Sequence, residues 1–184
     1  MKYIIHTRES APEGSRATID NFVKAWGFLP NLGGALAESP PAIELLWAAY
    51  GALTQSATLS PAEQQLVSIA ISRENRCNYC VAAHSTMAVG TDLSSEVLQA
   101  VREGLPLNDP RLEALRSTVT SLVRNRGWLS EEEKANFFQA GFSPAQLLEL
   151  IGWVSVKTLT NYVNHVAQTP VDPQWEGQRW ELAA

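Results

Sequence analysis

Sulfur and imidazole are scarce in this chain: two cysteines, two methionines and three histidines among 184 residues. Charge is scarce too. Asp, Glu, Lys and Arg make up 18%, below the ~25% of ordinary soluble domains. That deficit predicts that another copy of the chain covers part of the surface. The net charge is −5 and no Lys/Arg run offsets it, which excludes a nucleic-acid surface. No apolar run reaches the ~18 residues that span a bilayer, so no membrane partner is expected. The start, MKYIIHTRESAPEG, turns polar after four apolar residues and does not read as a signal peptide. The expected compartment is the cytoplasm, where a close cysteine pair points to catalysis or metal binding before a static staple.

What is present is a succession of helix signals, with no convincing strand among them. Residues 1–39 mix Gly, Pro and short apolar pieces and read as an N-terminal packing arm, with a short helix at 22–26 and loop at 27–34. From residue 40 to 184 a single helical domain is expected. PPAIELLWAAYGALTQ places Ile43, Leu46, Trp47, Tyr50 and Leu53 on one face, at helical spacing. Ser60, Pro61 and Glu63 form a capping-box start to a helix that buries Leu66, Val67, Ile69 and Ala70. After a break near Asn75 a helix runs from about Cys77 to Val89. Four more follow at 94–104, 109–127, 130–141 and 143–168, opened by Ser94, Asp109, Ser130 and Ser143. The 131-EEEK-134 run reads as favourable charge at a helix start. The tail, with Pro170 and Pro173, reads as extended and anchored by its two tryptophans. The fold class is therefore all-α, a helical bundle with an arm and a tail.

Both cysteines and one histidine fall in 74-ENRCNYCVAAHSTMAVG-90. Cys77 and Cys80 are three apart, Cys80 and His84 four, so the three share a helical stripe. A helix start favours a thiolate, and an imidazole nearby can move a proton. A two-residue spacer lets the pair close into a disulfide, as a dithiol that traps an oxidant as sulfenic acid requires. Chemistry alone leaves the order open: Cys77 is nearer the helix start, Cys80 nearer His84. The bland alternatives are buried inert thiols, an incomplete zinc site, or a staple too short to stabilise much. His6 and His165 are isolated in sequence, so no metal and no other cofactor is expected.

The run 59-LSPAEQQLVSIAISRENRCNYCVAAHSTMAVG-90 resembles the core signature of the alkylhydroperoxidase D and carboxymuconolactone decarboxylase superfamily, in its peroxidase-related branch. It covers about a sixth of the chain, and 159-LTNYVNHVAQTPVD-172 is similar to the last helix of smaller members. The resemblance implies an alkylhydroperoxidase D-like bundle that assembles as trimers or hexamers. It implies a thiol peroxidase that takes a small hydroperoxide and is re-reduced by a protein dithiol, for example a lipoylated one. By motif position Cys80 would be peroxidatic, Cys77 resolving and His84 part of a proton relay. The relay carboxylate expected twelve residues before the first cysteine is Gln65 here. An amide cannot take and return protons, though it can orient His84. Glu63 and Tyr79 are further candidates, with capping and packing as their competing roles; Tyr79 stands where some members carry histidine.

Other residues are weighed against packing. Asn161, Asn164 and His165 are polar material on a long apolar helix, suited to a cavity or a subunit contact. Trp47, Trp153 and Met87 read as core, and Glu74 as a helix-end charge. Three functions remain distinct: a dithiol oxidoreductase, a lyase of the decarboxylase kind with little need of C-x-x-C, and a non-enzymatic redox-sensing or metal-binding module.

Overall fold

The computed structural model describes residues 3–181; the extreme ends of the arm and tail read from the sequence, 1–2 and 182–184, lie outside them. Among the described residues there is no strand. Over the same described residues nine α-helices follow one another: α1 (Arg16–Trp26), α2 (Asn31–Leu36), α3 (Pro40–Ser56), α4 (Pro61–Glu74), α5 (Asn78–Ala88), α6 (Ser95–Glu103), α7 (Pro110–Arg124), α8 (Glu131–Gln139) and α9 (Pro144–Ala167). Short 3-10 turns lie at Glu13–Ser15 and Pro173–Gln178.

Local chemistry explains most of the boundaries. Ser60 with Glu63, Ser130 with Glu133 and Ser143 with Gln146 make reciprocal capping boxes, each satisfying backbone N–H groups the first turn leaves unpaired. Ser94 and Asp109 cap α6 and α7 through their side chains. α6 ends on Gly104 in the left-handed region at φ 73°, with the Arg73 guanidinium lying where a Cβ would project.

Three stretches differ from the sequence reading. The arm helix is longer than 22–26: α1 starts at Arg16, and its first turns bury Thr18 and Ile19. Residues 27–34 are not all loop, because α2 begins at Asn31. Two adjacent glycines make poor helix formers, but Asp172 accepts hydrogen bonds from Asn31 N at 3.0 and 3.2 Å. The helix start is capped from the far end of the chain. The tail is likewise not wholly extended: Pro173–Gln178 turns as a 3-10 segment and buries Trp175, while Trp180 is buried beyond it.

α4 sits at the centre, packed against α5, α6, α7 and α9. Every residue from Glu63 to Ser72 is buried, as expected for a helix covered all round. Leu66, Val67, Ile69 and Ile71 meet Val81, Leu115, Val119, Leu150 and Trp153 in the main core. A second cluster, with Ile19, Phe22, Ile43, Leu46 and Val156, joins α1 and α3 to α9. A third cluster is built on Cys77, Tyr79, Cys80 and Trp175, with Trp26, Phe28 and Leu32 packed against it.

Candidate active site

The break between α4 and α5 is a Schellman turn. Cys77 N donates to Ser72 O at 2.8 Å and Arg76 N to Arg73 O at 2.9 Å, and Arg76 takes the left-handed conformation at φ 58°. That geometry satisfies the last carbonyls of α4 and reverses the chain within three residues. Cys77 emerges as the N-cap of α5 with extended φ and ψ, outside the helix proper. The stripe expected from spacing therefore begins at Cys80, within the first turn of α5.

Cys77, Cys80 and His84 are buried, at 1%, 2% and 4% exposure, and both cysteines are free thiols. Asn164 Nδ2 donates to Cys80 Sγ at 3.3 Å and reaches Cys77 Sγ at 3.8 Å. Thr160 Oγ1 stands 3.8 Å from Cys80 Sγ. The two sulfurs are pushed apart in acidity. The Cys77 thiol, hydrogen-bonded to Cys80 and then buried, is held well above the usual thiol range. For Cys80 burial opposes ionisation, but the Cys77 thiol, the Lys157 charge and polar contacts from Thr160 and Asn161 outweigh it, and the group falls well below that range. These surroundings favour ionisation at Cys80 over Cys77.

His84 touches neither sulfur through a hydrogen bond. Its Nδ1 donates to Gln65 Oε1 at 2.9 Å, which fixes the tautomer, since an amide oxygen only accepts. Its Nε2 is left as an acceptor and takes a hydrogen bond from Lys157 Nζ at 2.6 Å. Burial and the adjacent ammonium push the imidazole well below its ordinary pKa. Lys157 is itself 2% exposed. It was not singled out in the sequence, where a lysine on a long helix reads as a solvent-facing group. A signal was there: Lys157, Thr160, Asn161 and Asn164 recur at three- and four-residue spacing on one face of α9.

The remaining candidates separate. Asn161 joins the site's rim, accepting from Asn75 Nδ2 at 2.9 Å and donating to Ser72 Oγ at 3.3 Å. His165 is exposed and stacks on Tyr162. Glu63 is occupied elsewhere, by the Ser60 N–H and by Arg111 Nε, each at 2.8 Å. Glu74 pairs with Arg124. Tyr79 donates its hydroxyl to Asp172 at 2.6 Å and accepts from Leu32 N at 3.0 Å, so its phenol ties α5 to α2 and the tail. Trp153 is in the main core, and Trp47 stacks edge-on against Phe22. Among the described residues no three His, Cys, Asp or Glu side chains converge as a metal-ligand set.

A cavity of about 50 Å³ opens between α1, α3, α5, α9 and the tail. Its walls are largely aromatic and aliphatic, with Trp26, Tyr50, Tyr79, Met87 and Trp175 among them. Cys80, His84, Lys157 and Thr160 reach it, and Cys77 does not line it. Among its described lining residues there is no carboxylate. On the scale by which one water needs about 10–15 Å³, the space holds a few water-sized molecules.

Residues 40–105 match the carboxymuconolactone decarboxylase family, which spans α3 to α6 and holds Gln65, both cysteines and His84. The whole fold is shared with the alkylhydroperoxidase core of a peroxidase-related protein from Ralstonia eutropha, at TM-score 0.84 and 20% identity over 95% of this chain and 93% of that one. A peroxidase-related protein from Silicibacter is similar at TM-score 0.76 and 18% identity, covering 91% and 89%. The debrominase Bmp8 with 2,3,4-tribromopyrrole aligns at 0.78 and 13% identity, covering 97% and 95%. Comparison with curated protein sequences returned no match. The partial family match and the shared fold define the class: an all-α fold of the alkylhydroperoxidase type, with a segment over residues 40–105 that matches the carboxymuconolactone decarboxylase family.

Proposed function

We propose that the chain is a thiol-dependent hydroperoxidase that reduces a small peroxide through Cys80 and Cys77. The observation that carries this reading is the asymmetry of the pair. Cys80 lines the cavity and has the surroundings that favour ionisation; Cys77 does not line it and is held above the usual thiol range. In the proposed cycle the Cys80 thiolate attacks the terminal peroxide oxygen. An S–O bond forms, the O–O bond breaks and the alcohol or water departs. The Cys77 thiol then displaces water from the sulfenic acid, closing the disulfide. A protein dithiol of the lipoyl class returns both electrons in thiol exchange. His84, held by Gln65 and Lys157, positions the polar wall of the cavity.

The cavity's volume favours hydrogen peroxide or a short alkyl hydroperoxide over a brominated ring of the kind bound by Bmp8. The absence of a lining carboxylate among the described residues weighs against a proton-abstracting lyase. The cytoplasm, as a reducing compartment, suits a free buried dithiol. Self-association is supported by Leu148, Ile151, Tyr162 and Val166, exposed at 68%, 44%, 58% and 64% along one stripe of α9; a monomer mass by light scattering would count against it. The catalytic reading is tested by hydrogen peroxide consumption with dihydrolipoamide as reductant. Cys80→Ser loses all consumption. Cys77→Ser consumes one equivalent and stops. Full turnover by either variant would sink the dithiol mechanism.

A further inference from the structure

A peroxide cannot be cleaved by a thiolate without a proton for the departing oxygen, and in this site neither of the expected donors is free to give one. Gln65 is an amide. His84 carries its only proton on Nδ1, engaged with Gln65 Oε1, and presents a lone pair on Nε2. Among the neutral hydroxyls on the cavity wall, Tyr79 donates to Asp172 and Thr160 donates to the Lys157 carbonyl at 3.1 Å. Tyr50 remains, a phenol that burial pushes up to about 12. The one ammonium among the described lining residues is Lys157, buried 2.6 Å from His84 Nε2, on the same cavity wall as Cys80 and one turn of α9 before Thr160, whose hydroxyl stands 3.8 Å from the Cys80 sulfur.

We infer that Lys157 is a catalytic residue with two roles: it is the charge partner of the Cys80 thiolate, and it is the acid that protonates the oxygen leaving the peroxide. This rests on the hydroperoxidase reading above. The step balances as thiolate, ammonium and peroxide going to sulfenic acid, neutral amine and alcohol or water. Sulfur is oxidised by two electrons, the O–O bond is reduced by two, and the proton moves from Nζ to the leaving oxygen. Disulfide formation then releases water without changing charge. When the reductant dithiol restores the two thiols, the Cys80 proton returns to the Lys157 amine and the ion pair reforms. The buried site is uncharged overall in the thiolate, sulfenic acid and disulfide states, which a low-dielectric pocket requires. His84 is a positioning residue here: fixed by Gln65, its Nε2 aims one N–H of Lys157 and leaves the others for sulfur and substrate.

The test compares two oxidants whose leaving groups differ. Hydrogen peroxide expels hydroxide and needs an acid; peracetic acid expels acetate and does not. Rates of Cys80 oxidation by each are measured by stopped flow in wild type, Lys157→Met and Lys157→Gln, with melting temperature and circular dichroism to identify the folded variants. Thiolate content is followed in parallel by iodoacetamide alkylation against pH. Removing Lys157 shifts the alkylation profile to higher pH and lowers the ratio of the hydrogen peroxide rate to the peracetic acid rate about 100-fold, the lower end of what a positioned acid contributes. Thiolate loss alone slows both oxidants equally and leaves that ratio unchanged. Should a folded variant keep the wild-type ratio, the acid role is overturned while the hydroperoxidase reading stands. An unshifted alkylation profile overturns the charge-partner role. Wild-type protein inert to both oxidants overturns the hydroperoxidase reading and the acid role with it.

Discussion

At the residue scale the site turns on which groups hold protons. His84 is kept neutral by burial and by Lys157, and that has a consequence for stability. With its folded pKa below the unfolded value, the native state binds fewer protons than the unfolded chain at acid pH. The contribution is fully present above about 6.5 and is lost as pH falls from there toward the folded pKa, with a slope approaching ~1.4 kcal/mol per pH unit. Urea midpoints at pH 7.5, 6.0 and 5.0 measure it. His84→Gln, which does not titrate, flattens the dependence relative to wild type; equal slopes would show that the imidazole is not held neutral. The two thiols and His84 were legible in the sequence because C-x-x-C-x-x-x-H is a local pattern. Lys157 was not, because nothing local says that a lysine 77 positions after Cys80 turns inward. Its burial follows only once α9 is seen covering α4 and α5.

At the element scale the caps were the most legible feature, since a capping box is written within four residues. Ser60 closes the capping box read from its sequence, and Ser130 and Ser143, read as helix openers, close boxes of the same kind. What stayed hidden were elements held by distant partners. α2, with two glycines in its six residues, starts at an N–H that Asp172 satisfies from 141 residues away. The same carboxylate holds Tyr79, and the tail it belongs to sets Trp175 against Tyr79 at 5.3 Å between ring centroids, and against Trp26 and Phe28. One buried side chain thus fastens α2, α5 and the tail around the cavity. Asp172→Ala leaves the Asn31 N–H and the Tyr79 hydroxyl without their acceptor, and a loss of about 2 kcal/mol in urea unfolding is expected. Wild-type stability in that variant would show the clamp to be incidental.

At the scale of the whole molecule, a central helix buried along most of its length and a Schellman turn at its end carry the chain from core to the cysteine pair within one reversal. The all-α class was legible from helical periodicity and the absence of strand signals. The enclosure of the site was not, because the arm, α3, α9 and the tail each contribute a wall and no one of them announces it. In the proposed reading, that enclosure lets a thiolate, an ammonium and a neutral imidazole coexist away from water. It also makes the chemistry directly observable in the intact protein. Reduced wild-type protein and Cys77→Ser are each given one equivalent of hydrogen peroxide, trapped with a sulfenic-acid reagent and read by mass spectrometry over the peptide containing Cys77 and Cys80. The account predicts a Cys77–Cys80 disulfide in wild type and a trapped sulfenic acid on Cys80 in Cys77→Ser. Unmodified thiols in both, or trapping on Cys77 in Cys80→Ser with Cys80 unreactive in Cys77→Ser, would contradict it.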